Sequence, residues 1–138
     1  MREIIYRSVA SERLGGDDIF RIVYRAKRAN GRAGLSGFLI YSSGHFLQLL
    51  EGPHLELRRT YRVIAQDMRH SDVTVLSERF ITERAFPDWR MRRIEQPDEA
   101  GARRFMAERF GDRIPVPIDA ALTEFYATIE GSRMARID

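Results

Sequence analysis

Gln48 lies in the run His45-Phe-Leu-Gln-Leu-Leu-Glu51, where strand alternation puts it on the same side as Phe46 and Leu50. A primary amide on such a face loses about 1–3 kcal/mol if unpaired, so Gln48 requires a specific partner. Tyr6, in an earlier run of β-branched and aromatic residues, shares a face with Ile4, and its phenol both donates and accepts, which suits either end of the amide. From spacing alone the pair reads first as a core contact that satisfies itself. Three further groups carry chemistry. Asn30 stands at the end of a helical pattern, where asparagine readily takes the left-handed C-terminal conformation. Asp67, Arg69 and His70 fall together at a second helix end, where cations also complement the helix dipole. Trp89 and Met91, two apart on a strand, should face the same way. There is no cysteine, hence no thiolate nucleophile and no disulfide, and three scattered histidines make a metal centre an unexpected reading.

The elements that must position these residues follow from periodicity. Strands are expected over residues 3–9, 35–41, 45–51, 73–81 and 90–95, the last after a Phe86-Pro87-Asp88 turn. Ser42, Ser43 and Gly44 suit a hairpin loop. Ile19, Ile22, Val23 and Ala26 predict a helix over 17–30, with Asp17 as N-cap and Gly31 as stop. Leu57, Tyr61, Ile64 and Met68 predict a second helix, opened by Gly52 and Pro53 and ending near Arg69 and His70. The order is βαββαββ, a ferredoxin-like α+β sandwich with a mixed five-stranded sheet and both crossover helices on one face, its first and third strands expected to pair in parallel. Helices over 98–110 and 119–130, ended by Gly111 and Gly131, should follow. Ile5, Val9, Leu47 and Leu49 point opposite to Ile4, Tyr6, Phe46 and Leu50, so the second sheet face must be covered by these tail helices or by a second subunit.

The 138 residues close one core, read as a domain over 1–95 with a helical extension over 96–138. No apolar run approaches the roughly 20 residues of a bilayer span, and the N-terminus lacks export features, so a soluble, cytoplasmic protein is expected. The charge of +3 admits an acidic partner, but the 23 basic residues are dispersed and, Lys27 apart, are arginines, a bias of genomic composition more than of phosphate tracking. Nucleic acid and membrane are therefore not expected as partners.

The stretch Asn30-Gly-Arg-Ala-Gly-Leu-Ser-Gly-Phe-Leu-Ile-Tyr-Ser-Ser-Gly-His-Phe-Leu-Gln-Leu-Leu-Glu-Gly-Pro53, flanked by Tyr6-Arg7-Ser8 and Arg84-Ala-Phe-Pro-Asp-Trp-Arg-Met91, resembles BLUF domains, the bacterial and other blue-light sensors that use flavin. The resemblance covers about residues 1–95. It implies a flavin between the two crossover helices, FAD with FMN as the other form, meeting Tyr6, Gln48 and Asn30 at its ring edge. Asp67, Arg69 and His70 align with positions around the ring and the ribityl-phosphate arm. Trp89 and Met91 would compete for a place near the glutamine. Ala29 departs from the polar residue that many relatives carry there. By the same resemblance Tyr6 supplies an electron and then a proton, and Gln48 relays the proton and ends rotated or tautomerised.

No catalytic residue is expected, since the resemblance implies a photoreceptor and not an enzyme. Output would pass to a separate signalling protein or through rearrangement of a homo-oligomer, by way of the fifth strand and the tail helices. Two other readings share the scaffold. An acylphosphatase-like enzyme would need a phosphate-cradling loop, which Ala10-Ser-Glu-Arg-Leu-Gly-Gly16 matches weakly. A protein- or nucleic-acid-binding module would need stacked aromatics on the sheet, yet Phe38 and Phe46 fall on opposite faces.

Overall fold

The computed structural model describes residues 1–95 and 98–137; Gln96, Pro97 and Asp138, and with them the expected boundary at 95/96, lie outside the described residues. The elements are β1 (Arg2–Ala10), α1 (Gly16–Ala33), β2 (Ser36–Ser42), β3 (His45–Gly52), α2 (His54–Ala65), β4 (His70–Phe80), β5 (Arg92–Ile94), α3 (Glu99–Phe110) and α4 (Val116–Ile137). They form the expected mixed sheet, in the order β4-β1-β3-β2-β5.

β1 and β3 pair antiparallel, not in parallel as expected. The crossover through α1 returns the chain so that β2 runs in the direction of β1, and the hairpin then reverses it into β3. That hairpin turns on Ser43 and Gly44, with φ of 50° and 81°, the paired positive values of a two-residue turn whose twist matches its strands. Among the described residues β5 alone pairs in parallel, at the β2 edge. Gly37 of β2 is obligatory: at φ 153° a Cβ would stand 1.8 Å from the Leu49 carbonyl oxygen.

Strand alternation sorts the core as expected. Ile4, Phe46 and Leu50 pack against Ile19 and Val23 of α1 and Leu57 of α2. On the opposite face Ile5, Phe38, Leu47 and Leu49 pack against Ala102 and Met106 of α3 and Leu122, Phe125 and Ile129 of α4. The tail helices therefore cover the second sheet face within the chain.

Helix ends differ from expectation. α1 starts from Gly15, whose N–H donates to the Asp18 carboxylate at 2.8 Å, so Asp17 lies in the first turn and is not the cap. It runs through Gly31 and stops at Gly34, whose φ of 70° makes the left-handed cap. α2 ends at Ala65; Met68 is exposed beyond it, and His70 opens β4. α4 begins earlier than expected and passes through Gly131. Asp98 caps α3 by accepting from the Gly101 N–H at 2.7 Å. Asp98→Ala should cost about 1 kcal/mol in urea or thermal unfolding, since one helix N–H loses its acceptor. Among the described residues no helix is long and apolar enough to cross a membrane.

Candidate functional site

Between α1 and α2, over the sheet, lies a cavity of about 340 Å³. Its walls bring together Tyr6, Asn30, Gln48, Asp67, Arg69 and His70, the six residues singled out above for cofactor contact. The remainder of the lining is largely apolar: Ile22, Ala26 and Ala29 from α1, Leu39 and Phe46 from the sheet, Val63 and Ile64 from α2.

Tyr6 and Gln48 are direct cross-strand partners, which is why they meet despite 42 residues of separation. The Tyr6 hydroxyl donates to Gln48 Oε1, and both side chains are buried. Gln48 Nε2 donates in turn to Met91 Sδ at 3.4 Å. The amide is thereby oriented by its neighbours, because a thioether only accepts. Burial pushes the Tyr6 phenol far above its ordinary pKa, and the neighbouring Tyr61 and Asp67 push it further the same way. A phenol so placed keeps its proton at neutral pH and is a hydrogen-bond donor in its resting state.

Asn30 is 2 % exposed and lies inside the last turn of α1, so it is not the left-handed cap. Its Nδ2 donates to the Arg90 carbonyl at 2.7 Å, tying the helix to the segment ahead of β5 and leaving its carbonyl oxygen for whatever fills the cavity. His70 Nε2 stands 2.6 Å from the Ile64 carbonyl and so carries a proton, while Nδ1 is 2.7 Å from the Ser8 hydroxyl; the ring fastens the end of α2 to β1. Asp67 accepts from the Arg69 backbone N–H and Nε, each at 2.9 Å, and the Arg69 guanidinium holds its carboxyl below the usual range. These two charges therefore pair with each other while lining the cavity.

Trp89 and Met91 precede β5 and do not share a face, contrary to expectation. Met91 is fully buried on the cavity side; Trp89 stacks on Phe86 at 4.8 Å and meets Phe105 of α3 on the other side. The irregular segment between the Pro87 turn and β5 breaks the two-residue alternation, so this short stretch touches both layers. Sequence reasoning passed over Ile22, Arg25, Ala26 and Ala29 as a cavity wall, although their i, i+3, i+4, i+7 spacing marks one helix face. It also passed over Ser8 and the Arg90 carbonyl, which no spacing reveals.

A cavity of this size lies in the range of ligand pockets, about 300–1,000 Å³. Apolar walls with two buried amides and a phenol suit a planar heterocycle with a hydrogen-bonding edge, as flavin is. Fold and site together define a small-ligand-binding α+β domain with a hydrogen-bond relay built into the pocket wall. Residues 1–92 match the BLUF family, described as sensors of blue-light using FAD. The chain belongs to this family of flavin-binding blue-light sensors.

The chain is 37 % identical over 87 residues to photoactivated adenylate cyclase subunit beta of Euglena longa, covering 62 % of this chain and 10 % of that protein. It is likewise 37 % identical over 73 residues to the blue light- and temperature-regulated antirepressor BluF of Escherichia coli K12, covering 53 % and 18 %. It thus spans only 10 % to 18 % of the length of these two curated relatives. Among solved structures, the dark state of BlrB, a BLUF protein, superposes with a TM-score of 0.70 at 29 % identity over 92 % of this chain and 96 % of that one. A bacterial light-regulated adenylyl cyclase gives 0.67 at 33 % identity, over 70 % and 30 %.

Proposed function

We propose that the chain is a blue-light switch in which Tyr6 is the electron and proton donor, Gln48 the proton relay, and FAD the bound flavin. The observation that carries this reading is the continuous path from the Tyr6 hydroxyl through the Gln48 amide to Met91, lying against the cavity wall. Bound flavin supplies a blue-absorbing group able to take up and return an electron. Tyr6 holds the transferable proton on its oxygen, kept there by burial. Gln48 presents a donor end and an acceptor end, so reversing the amide exchanges the partners of every neighbour. Asn30 would orient the ring edge, and Arg25, with Arg69 already paired to Asp67, would offer positive charge to the phosphate arm. The family's own description favours FAD over FMN.

Reversal of the Gln48 amide takes the N–H away from Met91, and two residues earlier in the same short segment Trp89 packs on Phe105 of α3. The light signal therefore leaves through residues 89–91, toward a separate signalling protein or a rearranged oligomer. In the relatives the matched segment is a small part of a chain named as a photoactivated adenylate cyclase subunit or a blue light-regulated antirepressor, which supports a light-sensing segment whose output lies outside it. Met91→Leu removes the sulfur acceptor, keeps the volume, and takes away part of the stabilisation gained on return to darkness. Its light-induced shift should persist while dark recovery, followed by absorbance after a flash, slows about two- to fivefold, as expected for one weak hydrogen bond.

The purified chain should be yellow, should release FAD on denaturation, as identified by chromatography, and should show a small reversible red shift in blue light. A protein that takes up no flavin on reconstitution would end this reading and leave the fold intact.

A further inference from the structure

On the outer side of α1 a second, larger concavity of about 630 Å³ runs between that helix and the segment leading into β5. Phe20 and Tyr24, one helical turn apart, stand 67 % and 55 % exposed on its helix wall. Two large aromatics side by side in solvent on one helix face are unusual for a surface without a partner. Lys27 continues the same face, and Arg90 and Arg93 rise from the opposite wall. Among the described residues no carboxylate pairs with any of these three cations. Of the two acids in the groove, Asp88 is held by Arg109 at 2.7 Å, which leaves Glu95 against Lys27, Arg90, Arg93 and a fourth cation of the lining, Arg92, which lies over the Trp89 ring.

We infer that this groove is the docking site for a segment of a partner protein in which acidic side chains alternate with bulky apolar ones. The aromatics supply apolar contact and the cations supply complementary charge and orientation. A nucleic acid fits less well: Glu95 stands in the lining, and the two aromatics share a helix face instead of a flat sheet. The groove also touches the site already described. Its lining contains Met91, which accepts from Gln48, and Arg90, whose carbonyl accepts from Asn30. Resting on the photoreceptor reading, the inference adds that docking differs between dark and light, because both contacts hold the same short segment and one is remade when the Gln48 amide reverses.

The test uses the flavin-loaded chain and a phage-displayed library of random dodecapeptides, selected in darkness and under blue light. Enriched peptides should combine Asp or Glu with Leu, Phe or Trp. Their synthetic versions should lose about tenfold in affinity to R93E, to K27E and to F20S, and should bind one light state about threefold better than the other. All three substitutions lie on the outer face, and an unchanged flavin spectrum with its reversible red shift shows that fold and photochemistry persist. Peptides that ignore these substitutions, an absence of acidic enrichment, or equal binding in both light states would overturn the inference. So would tighter binding of a single-stranded 20-mer DNA lost in the same variants, which would assign the groove to nucleic acid. Loss of the red shift in the unsubstituted chain would instead sink the photoreceptor reading.

Discussion

Gln48→Leu is expected to stay yellow and to lose the light-induced red shift completely. Leucine fills a similar volume on the same strand face, between Phe46 and Leu50, so the cavity walls survive. What disappears is the only group linking the Tyr6 hydroxyl to Met91 in this relay. The variant leaves the buried Tyr6 hydroxyl without its acceptor, at a cost of about 1–3 kcal/mol in unfolding free energy. Tyr6→Phe should lose the shift equally at a similar cost, since it leaves the buried Gln48 amide oxygen without its donor. Combining the two should cost less than the sum of the single changes, because each removes half of one contact. Light-minus-dark absorption and urea unfolding of the three variants check this. A Gln48→Leu protein with a normal reversible shift would remove the amide from the account.

Glu51→Ala should have the largest effect on stability, and it should reach the site from a distance. Glu51 is fully buried at the end of β3, where its carboxylate accepts from the Phe86 N–H at 3.1 Å and the Ala85 N–H at 2.8 Å. Arg84 fastens the same loop by donating to the Ser36 hydroxyl at 2.9 Å. These bonds hold the start of the segment that carries Trp89 and Met91 to their opposite layers. Alanine would strand two N–H groups, for a loss of about 2–4 kcal/mol in chemical unfolding, with slackened placement of Met91 against Gln48.

Glutamine at this position should behave differently. Burial raises the Glu51 carboxyl above its ordinary value of 4.5, and its cross-strand neighbour Glu3 adds to the rise, against lowering by the two backbone N–H groups and Arg84. Between 4.5 and the raised folded value the native state holds a proton that the unfolded chain has released. Stability therefore falls as pH rises through that window. Glu51→Gln keeps an acceptor for the N–H groups and abolishes that fall, so its stability advantage over the parent should grow from pH 4.5 upward in parallel unfolding series. A parent chain whose stability rose through the window no less than the variant's would contradict the raised carboxyl.

The site was legible in the sequence to the extent that strand alternation governs it. Gln48 and Tyr6 were placed on one face by period alone, and the structure sets them directly opposite each other. Alternation is identical in either direction, so strand direction rests on the connections; the hairpin expected at Ser42–Gly44 reverses β3 relative to β2, and the parallel expectation for β1 and β3 failed to carry that reversal through. Helix ends failed for a related reason. Gly31 and Gly131 are helix-weakening by only about 1 kcal/mol, which packing overrides. At Gly31 the helix passes close under Arg90, near enough that a Cβ would lie 3.4 Å from its guanidinium, a tertiary contact invisible in local sequence. Trp89 and Met91 were misread because a strand period was extended into the irregular approach to a three-residue strand.

The most direct test of the Gln48 switch is a light-minus-dark infrared difference spectrum of the flavin-loaded chain, recorded with and without ¹⁵N in the glutamine side-chain amide. The account predicts paired amide bands that move on labelling, that persist in Gln66→Ala, and that vanish in Gln48→Leu. Flavin bands that respond to light while no band responds to the glutamine label would mean that the Gln48 amide neither rotates nor tautomerises, and would contradict the central claim.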